Sequence, residues 1–168
     1  QEMEKAGRDD VLPFLRGGFW RHFLVKYPEA NLMHKKMLRV HQKAWRAGAG
    51  LDDLWQGQCN CPYWHCVFGG LYLADVRATT YHHLIKAENQ ADEALHGEGP
   101  WLQVTQEDYD HDGQAEVIAE GDQLTLYLKP SLGGNLMEWD LRRPAFNLGS
   151  TLARRPEAYH SLIGQRPT

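Results

Sequence analysis

Apolar residues recur at helical spacing through the first half of the chain and alternate with polar ones through the second. Met33, Met37, Val40 and Ala44 fall three and four residues apart, with Leu38, His41 and Trp45 as a neighbouring stripe. This spacing predicts a helix with one broad apolar face and with Met33, Met37 and Trp45 in the core. Asn31 is placed to cap its start, and Gly48 and Gly50 to end it. A second helix is predicted over residues 71–89, with Leu73, Val76, Thr80 and Leu84 on its packed face and Arg77, His82 and Lys86 turned away. Residues 11–24, aromatic and interrupted by glycine, read as a loop leading into a short helix.

Gly97-Glu98-Gly99-Pro100 breaks the helical pattern. Beyond it, Trp101 to Thr105, Glu116 to Ala119, Leu124 to Leu128 and Asn135 to Leu141 read as strands, with Gly121-Asp122 and Leu132-Gly133-Gly134 as turns. The fold class expected is α+β: a helical-bundle segment over residues 1–97, then an incomplete antiparallel β domain over residues 98–168. About four strands fit, fewer than a complete sandwich needs, and bare strand edges invite association.

The densest chemistry lies at Gln58-Cys59-Asn60-Cys61-Pro62-Tyr63-Trp64-His65-Cys66-Val67-Phe68-Gly69-Gly70. Amphipathic aromatics among Asn, Gln and His suit a pocket for a polar ring such as a sugar, whereas thiols beside a histidine suit a metal. The spacing disfavours the metal. Structural zinc draws on Cys pairs set well apart, and here every ligand would crowd into one short stretch, so no metal and no cofactor is expected. Buried, these thiols act as small hydrophobes. Asp108-Tyr109-Asp110-His111-Asp112-Gly113 begins like a calcium loop, but Ala119 stands where an EF-hand needs its bidentate Glu. An acidic turn is the expectation, with weak calcium binding at Asp108, Asp110 and Asp112 left open.

Composition narrows the classes. A hydrophobic content of 42% supports a packed core, and a formal charge of −4 gives no electrostatic footprint for nucleic acid or an acidic membrane. Three clustered cysteines make no disulfide framework and point to a reducing, cytoplasmic setting. The amino terminus lacks the blocks of a signal peptide, no apolar run reaches transmembrane length, and a start at Gln1 fits an excised piece.

The segment from Gln58 to His65, followed by Val67-Phe68-Gly69-Gly70-Leu71-Tyr72-Leu73, resembles the last sequence block shared by glycoside hydrolase family 57, in its α-amylase and 4-α-glucanotransferase branch. Phe23 to Asn31 with Met33 to Met37 resembles the opening of that branch's helical domain. Pro144-Ala145-Phe146-Asn147 and Arg154 to His160 resemble the start of its C-terminal β-sandwich. The resemblance implies a retaining enzyme acting on α-1,4-glucans, built from a catalytic barrel, a helical domain and a sandwich. This chain would lack the barrel and with it both catalytic carboxyl groups, which must flank the scissile bond about 5–5.5 Å apart. Asp52, Asp53, Glu88 and Glu93 are instead expected to be solvated charges, and no catalytic residue is expected here. By the same resemblance Trp64 would stack on a glucose ring, Asn60 and His65 would bond its hydroxyls or hold the loop, and Tyr63 would do either or pack. Cys66 departs from the family's usual Gly, adding a Cβ where the backbone needs freedom. The implied partners are an α-glucan or maltooligosaccharide and the missing barrel, and bare faces predict self-association. A second reading is a stand-alone carbohydrate-binding or structural interaction module without catalysis. An upstream reading frame that encodes a barrel would decide between the two.

Overall fold

A computed structural model describes residues 20–155. Helix α1 (Trp20–Lys26) runs through Tyr27 into α2 (Pro28–Ala47). α2 starts a turn before the expected Asn31 cap because Pro28, with φ preset for helix, occupies the first turn. Asn31 instead donates from Nδ2 to the Asp110 carbonyl across 2.8 Å. At the other end Gly48 adopts φ 64° and its N–H reaches the carbonyls of Ala44 and Trp45, as a left-handed cap should. Ala30, Met33, Val40 and Ala44 are buried as the stripe predicts, and Met37 is half-buried. Trp45 is 60% exposed, which overturns its expected core position, and its ring lies 5.9 Å from that of His41 on the same helix.

A short helix, α3 (Leu51–Gly57), follows; at seven residues it is too brief for periodicity to reveal. Gly50 precedes it at φ 77°, and any Cβ there would overlap the Ala87 carbonyl. The last long helix, α4 (Ala74–His96), begins after a 3-10 turn at Gly70–Tyr72 and runs past the predicted end because Ala91 and Asp92 are still buried. Its packed stripe is Arg77, Thr80, Tyr81, Leu84, Ile85, Glu88 and Asp92, offset from the one expected. Leu73 is exposed, and Arg77 is buried with Nη1 donating to the Leu71 carbonyl at 2.6 Å.

Five strands follow as an antiparallel meander: β1 (Leu102–Glu107), β2 (Glu116–Gly121), β3 (Leu124–Lys129), β4 (Asn135–Leu141) and β5 (Phe146–Asn147). The fifth is a two-residue addition to the four expected. Registers such as Thr105↔Ile118, Ile118↔Tyr127 and Tyr127↔Glu138 fix which residues share a face. Glu116, Ile118, Glu120, Thr125, Tyr127, Glu138, Asp140 and Asn147 are buried on the face toward the helices. The opposite face carries Leu102 (75% exposed), Val104 (60%), Leu136, Trp139 and Phe146.

The helix–sheet junction is ionic. Lys36 is wholly buried and its Nζ donates to Glu88 at 2.7 Å, Asp140 at 2.6 Å and the Tyr127 hydroxyl at 3.0 Å. One and two turns on, Arg39 grips Glu120 through two bonds of 2.7 and 2.6 Å, and Lys43 reaches Glu88, Asp92 and Glu120. Arg142 closes the far side on Asp92 at 2.5 Å. Glu88 is therefore a buried acid in a cationic cage, not the solvated charge expected of it. Burial opposes its ionisation, but Lys36, Lys43, Arg142 and Arg39 together hold it well below the usual carboxylate range. Glu138 goes the other way: burial, with the neighbouring Asp140, pushes its pKa far up against the pull of Lys36, which lies 3.3 Å away.

Candidate functional site

The aromatic loop is built in three steps. A 3-10 turn at Cys61–Tyr63 buries Pro62 and Tyr63, and the Tyr63 hydroxyl donates to the Gly57 carbonyl at 2.5 Å, tying the loop to the end of α3. Trp64 then extends (φ −155°), and its carbonyl accepts from Leu71 N–H at 2.9 Å. Gly70, at φ 42°, lies against the carbonyls of Trp64 and Cys61 so closely that no Cβ could fit. Cys66 takes φ 48°, the left-handed conformation that glycine tolerates best; a side chain there costs about 1–2 kcal/mol.

This loop and α2 enclose a groove of about 430 Å³ lined by Trp20, His34, Met37, Gln58, Asn60, Tyr63 and Trp64. Its floor is aromatic: Trp20 meets His34 edge-on at 5.0 Å between ring centres, and His34 meets Tyr63 at 6.1 Å. Its polar groups are amides and imidazole. Gln58 Nε2 lies 3.4 Å from His41 Nδ1 and 3.6 Å from Met37 Sδ. Burial, then the charge of Lys35, lowers the His34 pKa, so its ring is neutral near pH 7, and its buried Nδ1 has no hydrogen-bond partner among the described residues.

Three of the four sequence-derived residues, Asn60, Tyr63 and Trp64, line this groove together, and His65 does not. His65 is exposed beside Trp64 (ring centres 4.7 Å apart) and donates from Nδ1 to the Cys66 carbonyl at 2.8 Å, which leaves Nε2 an acceptor. Tyr63 is 5% exposed and its hydroxyl is engaged, so it presents ring surface only. Trp20, His34 and Met37 were missed as groove residues. His34 and Met37 stand one turn apart on α2, a spacing that also describes a core stripe, and Trp20 comes from a segment with no clear period.

The other candidate acids lie elsewhere. Asp52 and Glu93 are exposed. Asp53 is buried, contrary to expectation, and bonds His83, Gln90 and Lys86 at 2.8, 2.8 and 3.1 Å. Among the described residues two acidic groups are close enough to hold a cation, Glu88 with Asp92 and Glu120, and Asp108 with Asp110 and Glu116. Each already receives an ammonium group. Lys43 bonds all three acids of the first, and Lys129 bonds Asp110, Asp112 and Glu116 around the second, at 2.5, 2.7 and 3.0 Å. The turn after Asp108 is also held by its own carboxylates, which accept from the N–H groups of Asp112 and Gly113. The described residues include no helix long and apolar enough to cross a membrane.

Two family models match the chain: alpha-amylase/4-alpha-glucanotransferase, middle domain, over residues 18–91, and alpha-amylase/4-alpha-glucanotransferase, C-terminal, over residues 108–168. Alpha-amylase 1 of Dictyoglomus thermophilum is 45% identical over 161 residues, covering 92% of this chain and 23% of the relative. The 4-alpha-glucanotransferase of Thermococcus litoralis is 40% identical over 163 residues, covering 96% of this chain and 23% of the relative. The crystal structure of 4-alpha-glucanotransferase from Thermococcus litoralis superposes with a TM-score of 0.76 at 36% identity, over 99% of this chain and 24% of that one. The chain thus spans about a quarter of the length of these relatives. By these two matches, which together take in most of its length, the chain belongs to the alpha-amylase/4-alpha-glucanotransferase family, glycoside hydrolase family 57, as its middle and C-terminal regions.

Proposed function

We propose that this chain supplies part of the sugar-binding surface of a retaining enzyme acting on α-1,4-glucans, with the catalytic carboxyl groups on a barrel outside it. In this reading residues 1–97 are the helical domain and residues 98–168 the start of a β domain, and the parent is a cytoplasmic amylase or glucanotransferase. The observation that carries the reading is the groove itself: aromatic rings for the apolar face of a sugar, with Asn60, Gln58 and His34 at the edge for its hydroxyls. Trp64 is the stacking residue. Asn60 bonds a hydroxyl. His65, bound to the loop's own backbone, positions Trp64 and offers Nε2 to the substrate from the side. Tyr63 is a wall.

Titration of tryptophan fluorescence with a long maltooligosaccharide tests this. Trp64→Ala is expected to weaken binding at least tenfold, a loss of about 1.4 kcal/mol or more, whereas Tyr63→Phe is expected to change it little. Equal binding by wild type and Trp64→Ala would remove Trp64 from the sugar site. No α-glucan cleavage is expected from the chain alone; cleavage abolished by one carboxylate substitution would place the catalytic centre within it.

A further inference from the structure

The groove reading assigns no role to the three thiols, yet two of them touch. Cys66 Sγ lies 3.3 Å from Cys61 Sγ, closer than the ordinary contact of two sulfur atoms and in line for a hydrogen bond between them. Both side chains are half-buried, while Cys59 is exposed. The pair brackets the segment that carries Tyr63, Trp64 and His65, so whatever joins the two sulfurs closes that segment into a ring. The fold presses them together. Cys66 is held in the left-handed conformation, and the position of a Cβ at Gly70 would fall against both the Cys66 Cβ and the Cys61 carbonyl.

We propose that Cys61 and Cys66 are a thiol–disulfide redox pair, with Cys66 the attacking thiol and Cys61 the resolving one. The two sulfurs are not equivalent. Backbone N–H groups of Phe68 and Val67, together with the Cys61 thiol, favour the Cys66 thiolate and lower its pKa. The same contact, with Cys66 as its largest cause, pushes the Cys61 thiol up to about 11. The oxidant is a low-molecular-weight disulfide. The Cys66 thiolate attacks one of its sulfurs, forming a mixed disulfide and expelling one small thiolate. That thiolate takes the Cys61 proton, Cys61 attacks Cys66 Sγ, and the second small thiolate leaves and takes from solvent the proton that Cys66 gave up on ionising. Two protein thiols are oxidised and one small disulfide is reduced to two thiols. Such pairs inside cells are redox-sensing rather than structural. The consequence for glucan binding rests on the groove reading; formation of the bond does not.

The test exposes the full chain to glutathione disulfide over a range of redox ratios, alkylates the remaining thiols and maps peptides by mass. The expected product is a Cys61–Cys66 bond, two hydrogens lighter, with Cys59 alkylated and reversal by a dithiol. Cys61→Ser is expected to accumulate glutathione on Cys66, and Cys66→Gly, which suits the left-handed backbone and keeps the fold, to leave Cys61 free. A bond that includes Cys59, a bond between two chains, glutathione gathering on Cys61, or three free thiols at the most oxidising ratio would overturn the proposal. A separate titration compares oxidised and reduced chain for maltooligosaccharide binding. Closure of the bond with unchanged binding would break the link to the groove and leave the redox pair standing.

Discussion

The two faces of the five-stranded sheet are made in opposite ways. The buried face is polar, with Glu116, Glu120, Thr125, Glu138, Asp140 and Asn147 around the small apolar cluster of Tyr109, Ile118 and Tyr127. The open face is apolar, from Leu102 and Val104 on β1 to Trp139 on β4 and Phe146 on β5. In a free-standing sheet the apolar side would be the covered one. The sheet therefore carries two unlike surfaces. One, to the helices, is complete and ionic. The other is hydrophobic, and nothing among the described residues covers it, as expected of a region that spans about a quarter of its relatives' length.

The comparison breaks first at Lys36. Lys36→Met removes the one cation that bridges Glu88 and Asp140 at zero exposure and leaves both acids without it. A loss of about 3–5 kcal/mol is expected from stranding a buried charge, read as a lowered urea midpoint. Little change would mean that water reaches the junction and that it is not a buried joint.

Glu138 gives an effect that depends on pH. Its folded-state pKa lies well above its unfolded value, so the native chain holds a proton that the unfolded chain releases above about pH 4.5. Its contribution is fully present below that pH and falls as pH rises toward the folded pKa, by about 1.4 kcal/mol per unit. Glu138→Gln mimics the protonated form. It is expected to match wild type near pH 4 and to exceed it in melting temperature at pH 8. Parallel melting curves for the two proteins across that range would show that Glu138 is ionised in the fold. Glu88 carries the opposite sign, its stabilisation being lost only as pH falls below the ordinary carboxylate range.

The smallest effect on stability belongs to the open face. Leu102→Thr with Val104→Thr is expected to shift unfolding by less than about 0.5 kcal/mol per site, because both side chains already lie in solvent. Self-association measured by light scattering is where the pair should act, with the wild-type chain forming dimers or larger species and the double variant fewer. Association that survives unchanged would move the sticky surface to another part of the molecule.

The four main strands and the buried stripe of α2 were legible because alternation and three-to-four spacing are local properties of the chain. Which side of the sheet is covered was not, since alternation defines two faces and is silent about what packs on each. Lys36 illustrates the limit. It sits in the stripe of Met33 and Val40, and a charge in such a stripe signals a buried partner only once Glu88 and Asp140, distant in sequence, are known to meet it. The site divided the same way. Asn60, Tyr63, Trp64 and His65 were found as one motif, and the structure separates His65 from the groove by one backbone bond to Cys66. Trp20 and His34 enter only through tertiary packing. Cys66 was noted because the resemblance implied a glycine there, and its φ of 48° is the backbone strain that reading anticipated.

The ionic junction also decides how this molecule answers to heat. Hydration of charged groups becomes less favourable as temperature rises, so the cost of drying Lys36, Arg39, Lys43 and their acids shrinks while apolar burial gains little further. The seam between helices and sheet should therefore be the last contact to loosen on warming, with the thin apolar packing of the short α1 and α3 helices giving way before it.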